Sequence, residues 1–198
     1  LAKRLSGVLE IKNYISGSTP ETFNLKELVG KFEQSPGLKR SIDKIYEILV
    51  YALFSTIVRA LRVTVAIEIK NVDTQIIHDF SHFITLVVGI NPNEIKTELP
   101  AALYRVGVTN AADRGLDMWT NFGPIVQVKH LTLTPQLVED IALDMRADKI
   151  VIACLDSEKE AIETLLSQVG WGTNIQGIVT INDLDEWYRI CFSSKYKD

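Results

Sequence analysis

The stretch "DKIVIACL", Asp148–Leu155, limits the fold more than any other in this chain. Successive side chains of a strand point to opposite faces, so a nearly unbroken apolar run must bury both. That happens where helices cover the two sides of a sheet, as in parallel α/β layers. The flanking segments agree. Thr134 as N-cap and Pro135 as first helical residue predict a helix running to about Arg146. Ser157 with Glu160 predicts a capping box for a helix over 158–169. "IQGIVTI" follows as a last core strand and "DLDEWYRICF" as a closing helix. Strand, helix, strand and helix in alternation argue for an α/β fold with parallel strand pairs.

The first half is more mixed. Residues 1–39 read as an N-terminal helical extension of short helices, with turns at "SGSTPE" and "QSPG". Ser18 or Thr19, before Pro20 and Glu21, resembles a helix start. Residues 40–198 read as the core domain. In it, 40–61 form a long helix whose stripe runs through Ile42, Ile45, Leu49, Ala52 and Leu53 and is broadened by Tyr46, Val50 and Phe54. Glu47 sits among these apolar neighbours. "RVTVAIEIK" alternates as a strand from Val63 to Ile69, and 72–88 read as a helix stopped by Gly89. Strands follow around Tyr104–Val108, at "LDMW", and from Ile125 to Leu131 after the turn "TNFGP".

With 198 residues, 46% of them hydrophobic, the chain can bury one proper core, or a core plus a small extension. No apolar run has the length of a membrane span and no signal peptide opens the chain, so a cytoplasmic protein without a membrane partner is expected. The chain opens on Leu, as a fragment would. Cys154 and Cys191 lie in apolar stretches and read as buried free thiols. The net charge of −4 speaks against a surface that binds nucleic acid everywhere, though not against a local basic groove around Lys39, Arg40 and Lys44 or Arg59 and Arg62.

The chemistry concentrates in "GLDMWTNFGPIVQVKHLTL". In the strand from Ile125, Val126 and Val128 share one face, while Gln127 and Lys129 share the other. A hairpin brings Asp117, on the preceding strand, beside Gln127. A carboxylate, an amide oxygen and the main-chain carbonyl of Val128 are hard oxygen donors that suit Mg²⁺. A lysine beside such a site can orient a water or take its proton.

This arrangement resembles the PD-(D/E)XK nuclease superfamily, whose motif is an acid at the start of one strand and an acid–any–lysine triplet on the next. The matching residues are Asp117 and Gln127–Lys129, and Glu47 lies on a helix similar to the superfamily's N-terminal helix. The wording "ADRGLDMW…VQVKHLTLT" looks most like type II restriction endonucleases of the HaeII kind. A QxK triplet also resembles that of Mrr-like restriction nucleases. The resemblance covers most of residues 40–182. It implies a restriction-endonuclease-like core, a mixed central sheet flanked by helices. It also implies an Mg²⁺-dependent, sequence-specific endodeoxyribonuclease that acts on double-stranded DNA as a homodimer and leaves 5′-phosphate and 3′-hydroxyl ends. Asp117 and Gln127 would hold the ion, Lys129 would position the attacking water, and Glu47 would complete the charge. Gln127 departs from the motif's acid and removes one negative charge. Asp113 is a second candidate to restore it. Arg114, Thr120 and Asn121 flank the site on loops and are candidate DNA contacts.

Competing readings remain beside this one. "VQVK" also fits an edge strand with a solvated polar face. "IEIK" supplies a literal ExK triplet in Glu68 and Lys70, but without a hairpin partner. His78 and His82 have zinc-ligand spacing yet lack a third ligand. Trp119 and Trp171 read as packing residues. The loss of one charge keeps open a DNA-binding or interaction module that retained the fold and lost activity. A junction-resolving nuclease is the alternative within the enzyme class.

Overall fold

A computed structural model describes residues 2–35, 37–38, 41–70, 73–106, 117–128, 149–168 and 175–193. Two helices open it, α1 (Ala2–Gly17) and α2 (Leu25–Gln34), followed by the long α3 (Ile42–Ala60). Then come β1 (Thr64–Glu68), α4 (Thr74–Asp79), α5 (Ser81–Phe83), a π-helical turn at Ile84–Val88, and β2 (Lys96–Pro100). The remainder contains β3 (Leu103–Arg105), β4 (Met118–Thr120), β5 (Ile125–Val128), β6 (Ile150–Cys154), α6 (Lys159–Gln168), β7 (Ile175–Thr180) and α7 (Ile181–Cys191). The expected helix from Thr134 to Arg146 lies outside the described residues.

The fold is mixed α/β. β3 to β7 form one five-stranded sheet in sequential order, antiparallel from β3 to β5 and parallel from β5 to β7. β1 and β2 make a separate antiparallel pair. "IVIAC" is the interior strand its composition demands: Ile150, Ile152, Ala153 and Cys154 are buried. Ile150, Ile152 and Cys154 pack with Ile162 and Leu166 of α6. Val126, Val128 and Ala153, on the other face, share a core with α3, α7 and the N-terminal helices. Ile11, Leu28, Val29 and Phe32 of α1 and α2 belong to that same core. Each such side chain contributes roughly 1.5–3 kcal/mol by leaving water.

Several local expectations shift. Helix α2 starts at Leu25, not after Ser18 or Thr19, because the side chain of extended Asn24 accepts the N–H of Glu27 at 2.9 Å. Thr19 and Thr22 instead close a turn on each other, with the Thr19 N–H donating to Thr22 Oγ1 at 2.8 Å. The buried face of α3 is centred on Ile42, Tyr46, Val50 and Leu53, and Ala52 is exposed. Tyr46 can occupy that centre because its hydroxyl donates to the Cys154 carbonyl at 2.7 Å. Before α6 the capping acid is Glu158, which accepts the Leu155 N–H at 3.2 Å, rather than Glu160. The helix expected over 72–88 is bent at Phe80, but its hydrogen bonds continue: Phe80 N–H to Ile76 O at 3.0 Å and Ile84 N–H to Phe80 O at 2.9 Å. It ends where expected, at Gly89 with φ +75°. Among the described residues no helix is long and apolar enough to cross a membrane.

Candidate active site

The β4–β5 hairpin sets the geometry. Gly123 has φ +121°, a conformation that favours glycine, and Thr120 Oγ1 donates to the Pro124 carbonyl at 2.7 Å across the turn. Asn121 ties the turn to the end of β2 and the link into β3. Its Oδ1 accepts the Ala102 N–H at 2.8 Å and its Nδ2 donates to the Pro100 carbonyl at 3.0 Å. Thr120 is buried. The side-chain groups of both residues, expected on a loop facing DNA, are thus engaged in holding the hairpin.

Met118 pairs with Val126, which sets Asp117 against Gln127 at the end of the ladder. Asp117 Oδ2 accepts the Val128 N–H at 2.8 Å. A carboxylate that receives a main-chain N–H is fixed in direction, and its anionic form is favoured by the bond. Sequence reasoning placed Asp117, Gln127 and Val128 together, and the hairpin brings them together. Lys129 follows directly in the chain but lies, with Asp113 and Arg114, outside the described residues.

Gln127 is not on a solvated edge. β5 lies between β4 and β6, Gln127 is opposite Ile152, and its side chain is fully buried. A neutral amide can be buried there at far lower cost than a carboxylate. This gives a physical account of why the acid of the motif is absent. The donors at hand are oxygens of the Asp117 carboxylate, the Gln127 amide and the Val128 carbonyl, with a single formal charge. That set fits a hard ion such as Mg²⁺ that keeps several waters. Among the described residues no group of three or more His, Cys, Asp or Glu could hold a metal by itself.

Glu47 is buried on α3 and does not face solvent. Its Oε1 accepts from Arg105 Nε at 3.0 Å, and Lys44 pairs with its Oε2. Arg105 is on β3 opposite Met118, and the next residue, Val106, donates its N–H to the Asp117 carbonyl at 3.0 Å. Glu47 thus reaches the strand beside Asp117. By alternation, though, Arg105 shares the α3 face with Leu103 and Met118, while Gln127 takes the opposite face. Sequence reasoning missed Arg105. Its signal was a lone cation in a short apolar strand, the natural partner for a buried acid.

The other candidates lie elsewhere. Glu68 is exposed on β1, in the separate two-stranded sheet. His78 and His82 are exposed on α4 and α5. Trp119 stacks on Tyr104 with ring centroids 4.2 Å apart, a cross-strand pair that is half-exposed. An apolar cavity of about 690 Å³ between α3, α7 and the sheet, lined by Phe54, Leu103, Val126 and Trp187, includes none of the proposed catalytic residues. The Cys154 thiol, buried beside Tyr46, is pushed up to about 12 by desolvation and is no nucleophile.

The family description "HaeII restriction endonuclease" matches residues 1–198. The chain is 46% identical over 185 residues to the type II restriction enzyme HaeII of Haemophilus aegyptius, covering 93% of this chain and 52% of that protein. It is 46% identical over 193 residues to the type II restriction enzyme NgoBI of Neisseria gonorrhoeae, covering 98% and 55%. The chain therefore spans about half the length of these curated relatives. No solved structure matches it. The hairpin that pairs Asp117 with Gln127, the mixed sheet beneath it and a match along the whole chain lead to one conclusion: this chain belongs to the HaeII restriction endonuclease family.

Proposed function

We propose that this chain carries the catalytic site of an Mg²⁺-dependent type II restriction endonuclease. It would cut double-stranded DNA at a specific sequence and leave 5′-phosphate and 3′-hydroxyl ends. The supporting observation is the Asp117 carboxylate, fixed by the Val128 N–H at 2.8 Å beside buried Gln127. The names of both relatives agree with this reading.

Bound Mg²⁺ would supply charge stabilisation at the phosphorus and at the leaving 3′-oxygen. Asp117, Gln127 and the Val128 carbonyl would hold it. Lys129, the next residue in the chain, would orient the water that attacks the phosphorus in line. Glu47, buried on α3, provides a second acid, its charge balanced by Arg105 and Lys44. Asp113, four residues before Asp117 in the sequence, is the further candidate acid, and Arg114 is the candidate phosphate contact. Thr120 and Asn121 serve by fixing the hairpin. A palindromic target fits a homodimer whose two sites each cut one strand, working in the cytoplasm.

The neutral amide at position 127 favours one other reading, an inactive DNA-binding module with the same fold. Incubating the purified protein with plasmid DNA, with and without Mg²⁺, and mapping the ends separates the cases. Discrete Mg²⁺-dependent fragments with 5′-phosphates are expected. Binding without cleavage would establish the inactive module, and cutting confined to branched DNA a junction-resolving nuclease.

A further inference from the structure

The excursion between β1 and β2 carries an apolar surface that its own fold leaves uncovered. The helical run from Thr74 to Val88 has two apolar faces. One, through Ile77, Ile84 and Val88, is buried or half-buried. The other carries Ile76, Phe80, Phe83, Leu86 and Val87 along a run that bends at Phe80 and turns π-helical from Ile84. It points outward: Phe80 is 58%, Phe83 54%, Leu86 69% and Val87 67% exposed. With side-chain areas of roughly 150–200 Å² each, these residues and Ile76 present roughly 500 Å² of apolar surface. That is near the upper end of what a monomer leaves in water.

We propose that this stripe is the surface through which two copies of the chain meet. The proposal rests on the dimer of the reading above and deepens it. A standard interface takes about 800 Å² from each partner, and homodimer interfaces are about 65% apolar, or roughly 500 Å² a side. The stripe supplies that amount. Its pattern is also self-complementary. Antiparallel pairing about a two-fold axis between Phe80 and Phe83 sets Phe80 of one copy against Phe83 of the other. An isologous contact requires that kind of symmetry. The exposed polar groups Gln75, His78, Asp79 and His82 lie off this seam and stay in water.

Sedimentation velocity on the full-length protein tests the proposal. The wild-type protein should sediment as a dimer. The double variant Phe80→Glu/Phe83→Glu should raise the dissociation constant by roughly 100-fold or more, because the contact is central and apolar, while circular dichroism stays unchanged. An equimolar mixture of Phe80→Cys and Phe83→Cys variants, whose thiols the pairing opposes, should form a disulfide-linked dimer on mild oxidation, and Glu68→Cys, on the exposed face of β1, should not. A monomeric wild-type protein, a double variant that stays dimeric, or a Phe80→Cys and Phe83→Cys mixture that does not cross-link would overturn the assignment. Such a result would leave another part of the polypeptide as the cover of the stripe. Plasmid cleavage read in parallel keeps the two ideas apart. A dimer that dissociates in the variant but never cuts DNA upholds the surface and defeats the nuclease reading.

Discussion

Replacing Gln127 by Glu restores the acid of the nuclease motif at a position with no access to water. Without a cation, a carboxylate there is desolvated and lies beside the Asp117 charge, so both effects raise its pKa. The penalty has a ceiling, since the group can protonate. At pH 7, against an ordinary Glu value of about 4.3, the ceiling is about 4 kcal/mol. For a chain of this size that lowers Tm by roughly 8–16 °C. The folded pKa is raised above the unfolded one, so stability is intact below about pH 4.3 and is lost as pH rises. At pH 5 the deficit should shrink to about 1 kcal/mol. Saturating Mg²⁺ reverses the sign of the local field, and at a hundred times its Kd it returns about 2.7 kcal/mol. Thermal denaturation of Q127E and wild type, at pH 5 and pH 7 and with and without Mg²⁺, reads all of this. The reasoning fails if the Q127E deficit is independent of pH, or if Mg²⁺ raises its Tm no more than that of the wild type.

Three further outcomes follow from the geometry. Lys129→Ala and Asp117→Asn should abolish Mg²⁺-dependent plasmid cleavage with Tm little changed, whereas Glu68→Ala keeps most activity; loss on Glu68→Ala alone would move the site to β1. Arg105→Leu should destabilise by about 1–3 kcal/mol in urea denaturation, because it strips one partner from buried Glu47, while Glu47→Leu should be near neutral, since Arg105 is 31% exposed and can turn to water; the reverse order would sink the argument. Stability should fall above about pH 9, because Cys154 is raised from 9.0 to about 12 in the fold and ionises freely only when unfolded, and Cys154→Ala should flatten that limb in a pH series of melts.

The parallel half of the sheet was legible because burial on both faces leaves a mark in composition. "IVIAC" has no solvated position, and only an interior strand tolerates that. The hairpin was legible for a different reason: its turn needs Gly123, and a turn of that kind fixes which residues oppose each other. Where a segment's register depends on a partner distant in sequence, local composition does not reveal it. The buried face of α3 turns toward Tyr46 because of a hydrogen bond to Cys154, and no local periodicity encodes that bond. Helix α2 begins late because Asn24 out-competes the Ser-Thr-Pro segment as a cap, which depends on backbone angles that composition leaves open.

Glu47 and Gln127 are both buried polar residues, yet they solve the same electrostatic problem in different ways. At Gln127 the strand is buried from both sides and the solution is to give up the charge. At Glu47 the helix lies within reach of β3 and of its own preceding turn, and the charge is kept by adding Arg105 and Lys44. The ion pairs have a consequence for the site. As folded without an ion, the Glu47 charge is already offset, so the hairpin's own negative charge comes from Asp117 among the described residues there. Metal affinity should then depend far more steeply on Asp117 than on Glu47. Calorimetric titration of Mg²⁺ into Asp117→Asn and Glu47→Gln measures it, with the larger loss expected for D117N. Equal losses would mean that Glu47 leaves Arg105 to ligate the ion directly.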